Sequence, residues 1–368
     1  MNSVKNFIKN EAVLIISFIL AVASAFVIPP DSGYIDYIDF RTLALLFCLM
    51  AVMAGFNKLG IFRMLATKLL GFATNSRSLC LILSLLCFFS SMVITNDVAL
   101  ITFVPFSVII LTLSGKKKLL IPLVTLETVA ANLGSMLTPI GNPQNLYLFS
   151  SFGMKTSDFF RVLLPYAVLS LILTVVSVFF IKKEKLEFNA GSESDAVDIR
   201  LCIIYAVLFA VALLTVFRVI HYIIALAVSL IAIVIFDRKT LRKVDYSLLL
   251  TFTFLFVFIG NLKNIAPVSD FLRSIVDGNE VLVGIASSQV FSNVPAALLL
   301  SGFTQNITDL LIGVNLGGLG TLIASMASLI SFKYIIKENI SAGRYVAVFS
   351  AVNIVYLAFN LALWVMIK

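Results

Sequence analysis

A chain of 368 residues that is 60% hydrophobic and only 12% charged, with a mean hydropathy of +1.07, has too little polar surface to remain in water as a globule. Its formal charge of +8 does not signal nucleic acid, because Lys and Arg fall in short clusters between apolar segments, as the positive-inside rule places them. The composition predicts an all-α polytopic membrane protein.

Lys5 and Lys9 put the N-terminus in the cytoplasm. The apolar run 11–29 imitates a signal peptide at Ala23-Ser24-Ala25, but many further spans follow and its length suits a retained first helix. A span at 41–56 returns the chain to Lys58, and the short amphipathic stretch 59–72 reads as an arm helix along the interface. A hairpin over 78–113 then turns at the polar stretch SSMVITNDVA. Basic clusters flank both of its ends, so it is expected to enter and leave on one side with its tip in the bilayer. Each arm would reach about 25 Å, so a full crossing is not excluded by length alone. The segment 119–152 starts and ends apolar but is broken by GSMLTPIGNPQN, whose glycines and prolines unwind a helix. A span at 160–181 follows, and the polar stretch 184–199 is the cytoplasmic linker.

The second part repeats the order of the first. After a connecting segment at 200–220 come spans at 221–236 and 246–261, an arm within 262–280, and a hairpin at 281–305 bearing SSQVFSNVPA. A second broken helix at 308–332 has GGLGTLIAS as its gap, and a last span runs to Lys368. Ser90-Ser91 aligns with Ser287-Ser288 and Thr95-Asn96 with Ser292-Asn293, at an offset of 197. Asn132-Leu133-Gly134 aligns with Asn315-Leu316-Gly317 and Thr138 with Thr321, at an offset of 183. Residues 1–183 and 221–368 are therefore two repeats, and an odd number of crossings between them makes the repeat inverted. About nine full spans plus two re-entrant hairpins are expected, in a plasma or inner membrane, with the C-terminus outside.

Such an arrangement binds its substrate near the midplane. A broken helix leaves N–H groups free at one half-helix start, favouring an anion, and carbonyls free at the other half-helix end, favouring a cation. Candidate substrate ligands are Asn96, Thr138, Asn142, Asn293, Thr321 and Ser325. Candidates for cation binding or proton coupling are Thr95, Asn96, Asp97, Gly141, Asn145, Ser292, Asn293, Gly317 and Gly318, with sodium at the hairpin tips. No Lys or Arg lies in either tip or gap, so an anion would rest on dipoles and hydroxyls beside a co-bound cation. Asp97 is an acid at membrane depth, read either as proton carrier or cation ligand, or as a cap on the helix beginning at Val98. Glu127 is a possible second acid that either faces the site or pairs with an arm residue.

Cys48, Cys80, Cys87 and Cys202 lack metal-ligand spacing and read as core residues. No nucleophile-and-base arrangement, HExxH, GxSxG or Walker loop is visible, which disfavours an enzyme and points to an ion gradient as the energy source, with no other cofactor.

The paired tips TND and SNV, with the gaps GSMLTPIGNPQN and GGLGTLIAS, resemble the ion transporter superfamily of arsenite efflux permeases, citrate and divalent-anion symporters and some sodium/proton antiporters. The resemblance runs from about Asp39 onward. It implies an elevator-type homodimer in which hairpins and broken helices carry a small anion past a stationary scaffold, coupled to sodium or protons. In the divalent-anion symporters Ser-Asn-Thr tips bind sodium and carboxylate, and Thr95-Asn96-Asp97 and Ser292-Asn293-Val294 hold those places here. The third residues depart from that pattern: Asp97 is closer to the arsenite and antiporter branches, and Val294 lacks a hydroxyl. Cation/proton antiport through Asp97, or arsenite-type efflux, is the alternative activity.

Overall fold

The computed structural model describes residues 11–185, 198–338 and 340–368. Lys5, Lys9 and most of the expected linker lie outside the described residues. Everything described is helix or short connection. The first half comprises α1 (Ala12–Ala25), the single turn α2 (Tyr34–Tyr37), α3 (Phe40–Lys58), α4 (Ile61–Leu70), α5 (Ser76–Ile94), α6 (Asn96–Leu113), α7 (Leu120–Ser135), α8 (Pro143–Ser151) and α9 (Thr156–Phe179). Then follow α10 (Ile199–Val216), α11 (Tyr222–Asp237), α12 (Tyr246–Lys263), α13 (Ala266–Val276) and α14 (Glu280–Phe291). The chain ends with α15 (Asn293–Ser301), α16 (Ile307–Leu316), α17 (Met326–Lys337) and α18 (Ala342–Ile367).

Among the described residues, α3, α5, α6, α9, α10, α12 and α18 are long and apolar enough to cross a membrane. The chain is thus an integral membrane protein by composition and helix length. The count differs from the nine spans expected because α1 and α11, with 14 and 16 residues, fall short of that length and the broken helices divide into shorter pieces. Conversely, both arms of the first hairpin, at 19 and 18 residues, are long enough to cross, whereas those of the second have 12 and 9. The first interruption is narrower than the motif suggested. Helix α7 continues to Ser135, and Pro143 sits at the first position of α8, where its missing N–H has no partner to lose.

The helices pack in two sets. In one, α3 docks on α10 and α11 while α12 docks on α1; in the other, α5 to α9 pack with α14 to α18. The amphipathic α4 and α13 run between the sets, and α3 against α8 and α12 against α15 bring the two sets into contact.

Capping and cross-links fix the direction of α3 and α12 in the first set, the frame of the bundle. Asp39 accepts the Thr42 N–H at the start of α3, and Asp245 accepts the Leu248 N–H at the start of α12, each at 2.9 Å. The start of α3 lies level with the end of α12, since the Asn261 amide donates to the Tyr34 hydroxyl at 2.8 Å and that of Asn264 to Tyr37 at 2.9 Å. At its other end, Lys58 reaches Asp237 at the close of α11 with bonds of 2.7 and 2.8 Å. Helices α3 and α12 are therefore antiparallel. Burial alone would raise the Asp237 carboxyl, but bonds from Lys58, Thr240 and Tyr205 outweigh it and hold the group below the usual carboxylate range.

The hairpin ends are anchored separately. The Ser76 hydroxyl donates to the Lys182 carbonyl at 2.6 Å and Arg77 Nε to that of Ile181 at 2.7 Å, while Lys116, just past α6, bonds Glu184. Both ends of the first hairpin thus meet the end of α9. The second hairpin closes where the Thr304 hydroxyl donates to Glu280 Oε1 at 2.7 Å, with Gly302 set against the stem of Lys263 at the end of α12.

Candidate functional site

Two single residues turn the hairpins, and their backbones match. Thr95 between α5 and α6 has φ 72° and ψ 153°, and Ser292 between α14 and α15 has φ 71° and ψ 155°. This region is ordinarily reserved for glycine and costs about 1–3 kcal/mol for any other residue. Neither side chain caps the helix it precedes. Thr95→Gly and Ser292→Gly should each raise stability by about 1 kcal/mol, the strain released less the extra chain entropy of glycine. Chemical unfolding in detergent measures this, and a loss of stability in both variants would show that the corners are not strained.

The residue after each corner is an asparagine buried against a broken helix. Asn96 donates its backbone N–H to the Gly141 carbonyl at 3.1 Å and its amide to Asn132 Oδ1 at 3.0 Å, while its own Oδ1 receives the Asp97 N–H at 3.0 Å. Asn293 lies beside Gly318: a Cβ at that glycine would come within 3.0 Å of the Asn293 amide nitrogen. Each tip is thus set against the gap of its own half.

The two gaps also join each other, through asparagines flanking them. Ser325, immediately before α17, donates to Asn132 Oδ1 at 3.1 Å, and Asn132 Nδ2 donates to Ser328 Oγ at 3.4 Å. Asn142, immediately before α8, donates to Asn315 Oδ1 at 3.1 Å, and Asn315 Nδ2 donates to Asn145 Oδ1 at 2.7 Å. Asn315, Ser325 and Ser328 stand 183 positions after Asn132, Asn142 and Asn145, so the second set of bonds is the first with the halves exchanged. All six residues are buried, and each bond satisfies a polar group that would otherwise be stranded in an apolar bundle.

On one side of this junction lies a cavity of about 320 Å³. Thr95, Asp97, Ile140, Asn142 and Pro143 line it from the tip and first gap, while Met53, Asn57, Lys58, Lys243 and Asp245 line it from the frame. Asp97 sits in the first turn of α6, where the helix dipole favours an anionic group. Its Oδ1 is buried without a hydrogen-bond partner, so the capping role considered from the sequence is not what the side chain performs.

Of the other sequence candidates, Asn145 in the first turn of α8 turns its amide nitrogen to the carbonyls of the first gap, and Gly141 is committed to Asn96. The Thr138 hydroxyl donates to the Met92 carbonyl, tying gap to hairpin. Ser292, Asn293, Gly317, Gly318, Thr321 and Ser325 do not line this cavity; Thr321 is exposed, and its N–H donates to Gln289 Oε1 at 2.9 Å. A crevice of about 30 Å³ beside the second tip is lined by Val294, Pro295, Met326 and Asp245. Glu127 is fully buried away from the cavity and accepts from Ser107 in the second arm of the first hairpin. Of its two sequence readings, the arm-residue contact is the one observed. Asn132, Asn315, Ser328 and Gln289 were not among the candidates. The repeat alignment had already paired Asn132 with Asn315, and Gln289 lies within the motif SSQVFSNVPA.

A bundle of apolar helices holding two interrupted helices, the first of which borders a cavity with Asp97 and Asn142 in its wall, is the architecture of a polytopic membrane protein. The sequence pattern of the citrate transporter family matches residues 7–327, and the chain belongs to that family. It is 36% identical over 326 residues to an uncharacterized transporter of Methanocaldococcus jannaschii, covering 87% of this chain and 88% of that protein. It is 30% identical over 308 residues to the inner membrane protein YbiR of Escherichia coli, with 80% of each chain covered. A silicon efflux transporter of Oryza sativa subsp. japonica is 28% identical over 170 residues, 46% of this chain and 34% of that one.

Proposed function

We propose that the chain is a secondary active transporter that carries a small anion, a carboxylate or oxyanion, by elevator-type alternating access coupled to sodium or protons. The observation that carries this reading is the exchange-symmetric set of bonds linking Asn132 to Ser325 and Ser328, and Asn315 to Asn142 and Asn145. Contacts that map onto themselves when two halves are exchanged are what a two-fold axis produces. With α3 and α12 antiparallel, that axis would lie in the membrane plane, which supports reading the halves as an inverted repeat whose hairpins are re-entrant. The packing into two sets supports assigning one set as a stationary frame and the other as the moving carrier. A homodimer would form through the frame, in a plasma or inner membrane with the N-terminus in the cytoplasm. The citrate of the family's description supports a carboxylate.

A second reading is favoured by the unpartnered Oδ1 of Asp97 at the cavity wall. In it Asp97 exchanges a cation for a proton, or the chain is an arsenite-type efflux permease, a direction of transport that the silicon efflux relative's name shares.

Uptake of labelled citrate, succinate or arsenite into proteoliposomes, under an imposed sodium or pH gradient, should be saturable. A disulfide between Asn57→Cys and Thr102→Cys, whose present side chains lie 3.5 Å apart across frame and carrier, should stop uptake until reduced. The four native cysteines would first be replaced. Unsaturable flux that persists after the cross-link would instead identify a channel.

A further inference from the structure

Carbonyls released where a helix breaks are ready ligands for a small cation. Here both sets face a side-chain nitrogen. In the first gap, Asn145 Nδ2 lies 3.4, 3.0 and 3.1 Å from the carbonyl oxygens of Ser135, Met136 and Thr138. In the second, Gln289 Nε2 lies 2.9 Å from those of Gly317 and Leu319, and 3.2 Å from that of Ile285 in its own helix. The far end of each amide fixes which way it points. Asn145 Oδ1 receives the Asn315 amide at 2.7 Å and Gln289 Oε1 receives the Thr321 N–H at 2.9 Å, so in both cases the nitrogen must face the carbonyls.

The two amides are not repeat equivalents. Asn145 belongs to α8 and its counterpart at the offset of 183 is Ser328; Gln289 belongs to α14 and its counterpart at the offset of 197 is Met92. The same arrangement, one amide nitrogen among three carbonyl oxygens with its oxygen tied elsewhere, is therefore reached from two unrelated positions. Inherited symmetry alone does not produce that.

We propose that Asn145 and Gln289 determine ion specificity by filling, with a neutral N–H donor, the carbonyl cages of both gaps, so that neither gap binds sodium. An alkali cation entering either cage would have to expel the amide and break its bond to Asn315 or Thr321. The inference deepens the proposed function and rests on it for its meaning in coupling: sodium is removed from both gaps, and the Asp97 wall is the remaining place for a coupling cation.

The test uses the full chain in detergent carrying Asp97→Asn, so that the Asp97 carboxylate does not respond. Thermal unfolding is followed as choline chloride is replaced by sodium chloride at constant ionic strength, because a ligand that binds the folded state raises its stability by mass action. The Asp97→Asn protein should show no sodium-specific shift. Adding Gln289→Glu or Asn145→Asp, which turns carboxylate oxygen toward the carbonyls, should create a saturable rise with sodium. Gln289 is half-buried, so Gln289→Glu carries the measurement should the fully buried Asn145→Asp fail to fold. A saturable sodium-specific rise in Asp97→Asn itself overturns the proposal, and so does the absence of any gain in the folded double variant. Neither readout involves anion uptake, so a failure of the transporter reading in liposomes would be seen separately.

Discussion

Gly134→Ala should cost about 3 kcal/mol of stability, the upper part of the range for overpacking a closely fitted interior. A Cβ at Gly134 would stand 2.1 Å from the Phe88 carbonyl oxygen and 2.8 Å from Ser91 Oγ. The nearer atom is backbone in the middle of α5, so relief requires moving one helix away from another along which it is closely packed. The repeat provides a graded comparison. Gly317, its counterpart, would meet Ser288 Oγ at 2.4 Å and its Cβ at 2.7 Å, and Ser288 is itself the counterpart of Ser91. The Ser288 hydroxyl can turn aside where the Phe88 carbonyl cannot, and the approaches that remain, Ser288 Cβ at 2.7 Å and the Gly313 carbonyl oxygen at 2.9 Å, are longer than 2.1 Å, so Gly317→Ala should cost less, about 1–2 kcal/mol. Gly343, in the first turn of α18 with nothing within 4 Å of the added atom, should tolerate alanine or gain slightly from its better helix propensity. Chemical unfolding in detergent should therefore rank the three variants. Equal stability of Gly134→Ala and Gly343→Ala would mean that hairpin and broken helix do not approach as closely as described.

The polar tips were legible in the sequence because an apolar chain makes any polar interruption conspicuous. Thr95-Asn96-Asp97 could not be an ordinary surface loop with arms of helical length on both sides, and the corner at Thr95 with Asn96 buried beneath it accords with that. The partners of those residues were harder to read. Asn132 and Asn315 lie inside helices, where a single amide looks like any other polar helical residue; their bonds arise only when the two gaps are packed together, across more than 170 positions of chain. Gln289 was hidden in the same way, since its three carbonyl partners come from its own helix and from a gap almost thirty residues later. For Glu127, helical spacing names the face but not the neighbour, and packing decided for Ser107. The span count differs for another reason: apolar runs read from the sequence include turns and breaks, so α1 and α11 form helices of only 14 and 16 residues and each interrupted helix divides into shorter pieces.

Asp97→Asn should reduce gradient-driven uptake in proteoliposomes by at least about 100-fold while leaving the fold in place. The exchange is nearly isosteric, and no hydrogen bond to the Asp97 side chain is seen among the described residues, so its structural cost should stay within about 1 kcal/mol. The effect on transport rests on position. Asp97 is the only acid contributed to the 320 Å³ cavity by the hairpin tip, and across that cavity stand Lys58, Lys243 and Asp245 from the frame. A carboxylate beside an incoming anion opposes it unless a proton or a cation accompanies the carboxylate, which is what would make coupling obligatory. Replacing the acid by an amide removes both the repulsion and the coupling. Substrate binding, read as thermal stabilisation by citrate or arsenite, should then persist and lose its dependence on pH or sodium, while accumulation against a gradient disappears. The second half supplies an internal control. Val294 holds the corresponding place after the other tip and lies outside this cavity, so adding Val294→Asp to Asp97→Asn should not restore accumulation. Wild-type accumulation in Asp97→Asn would remove Asp97 from the coupling step, and rescue by Val294→Asp would mean that either tip can carry it.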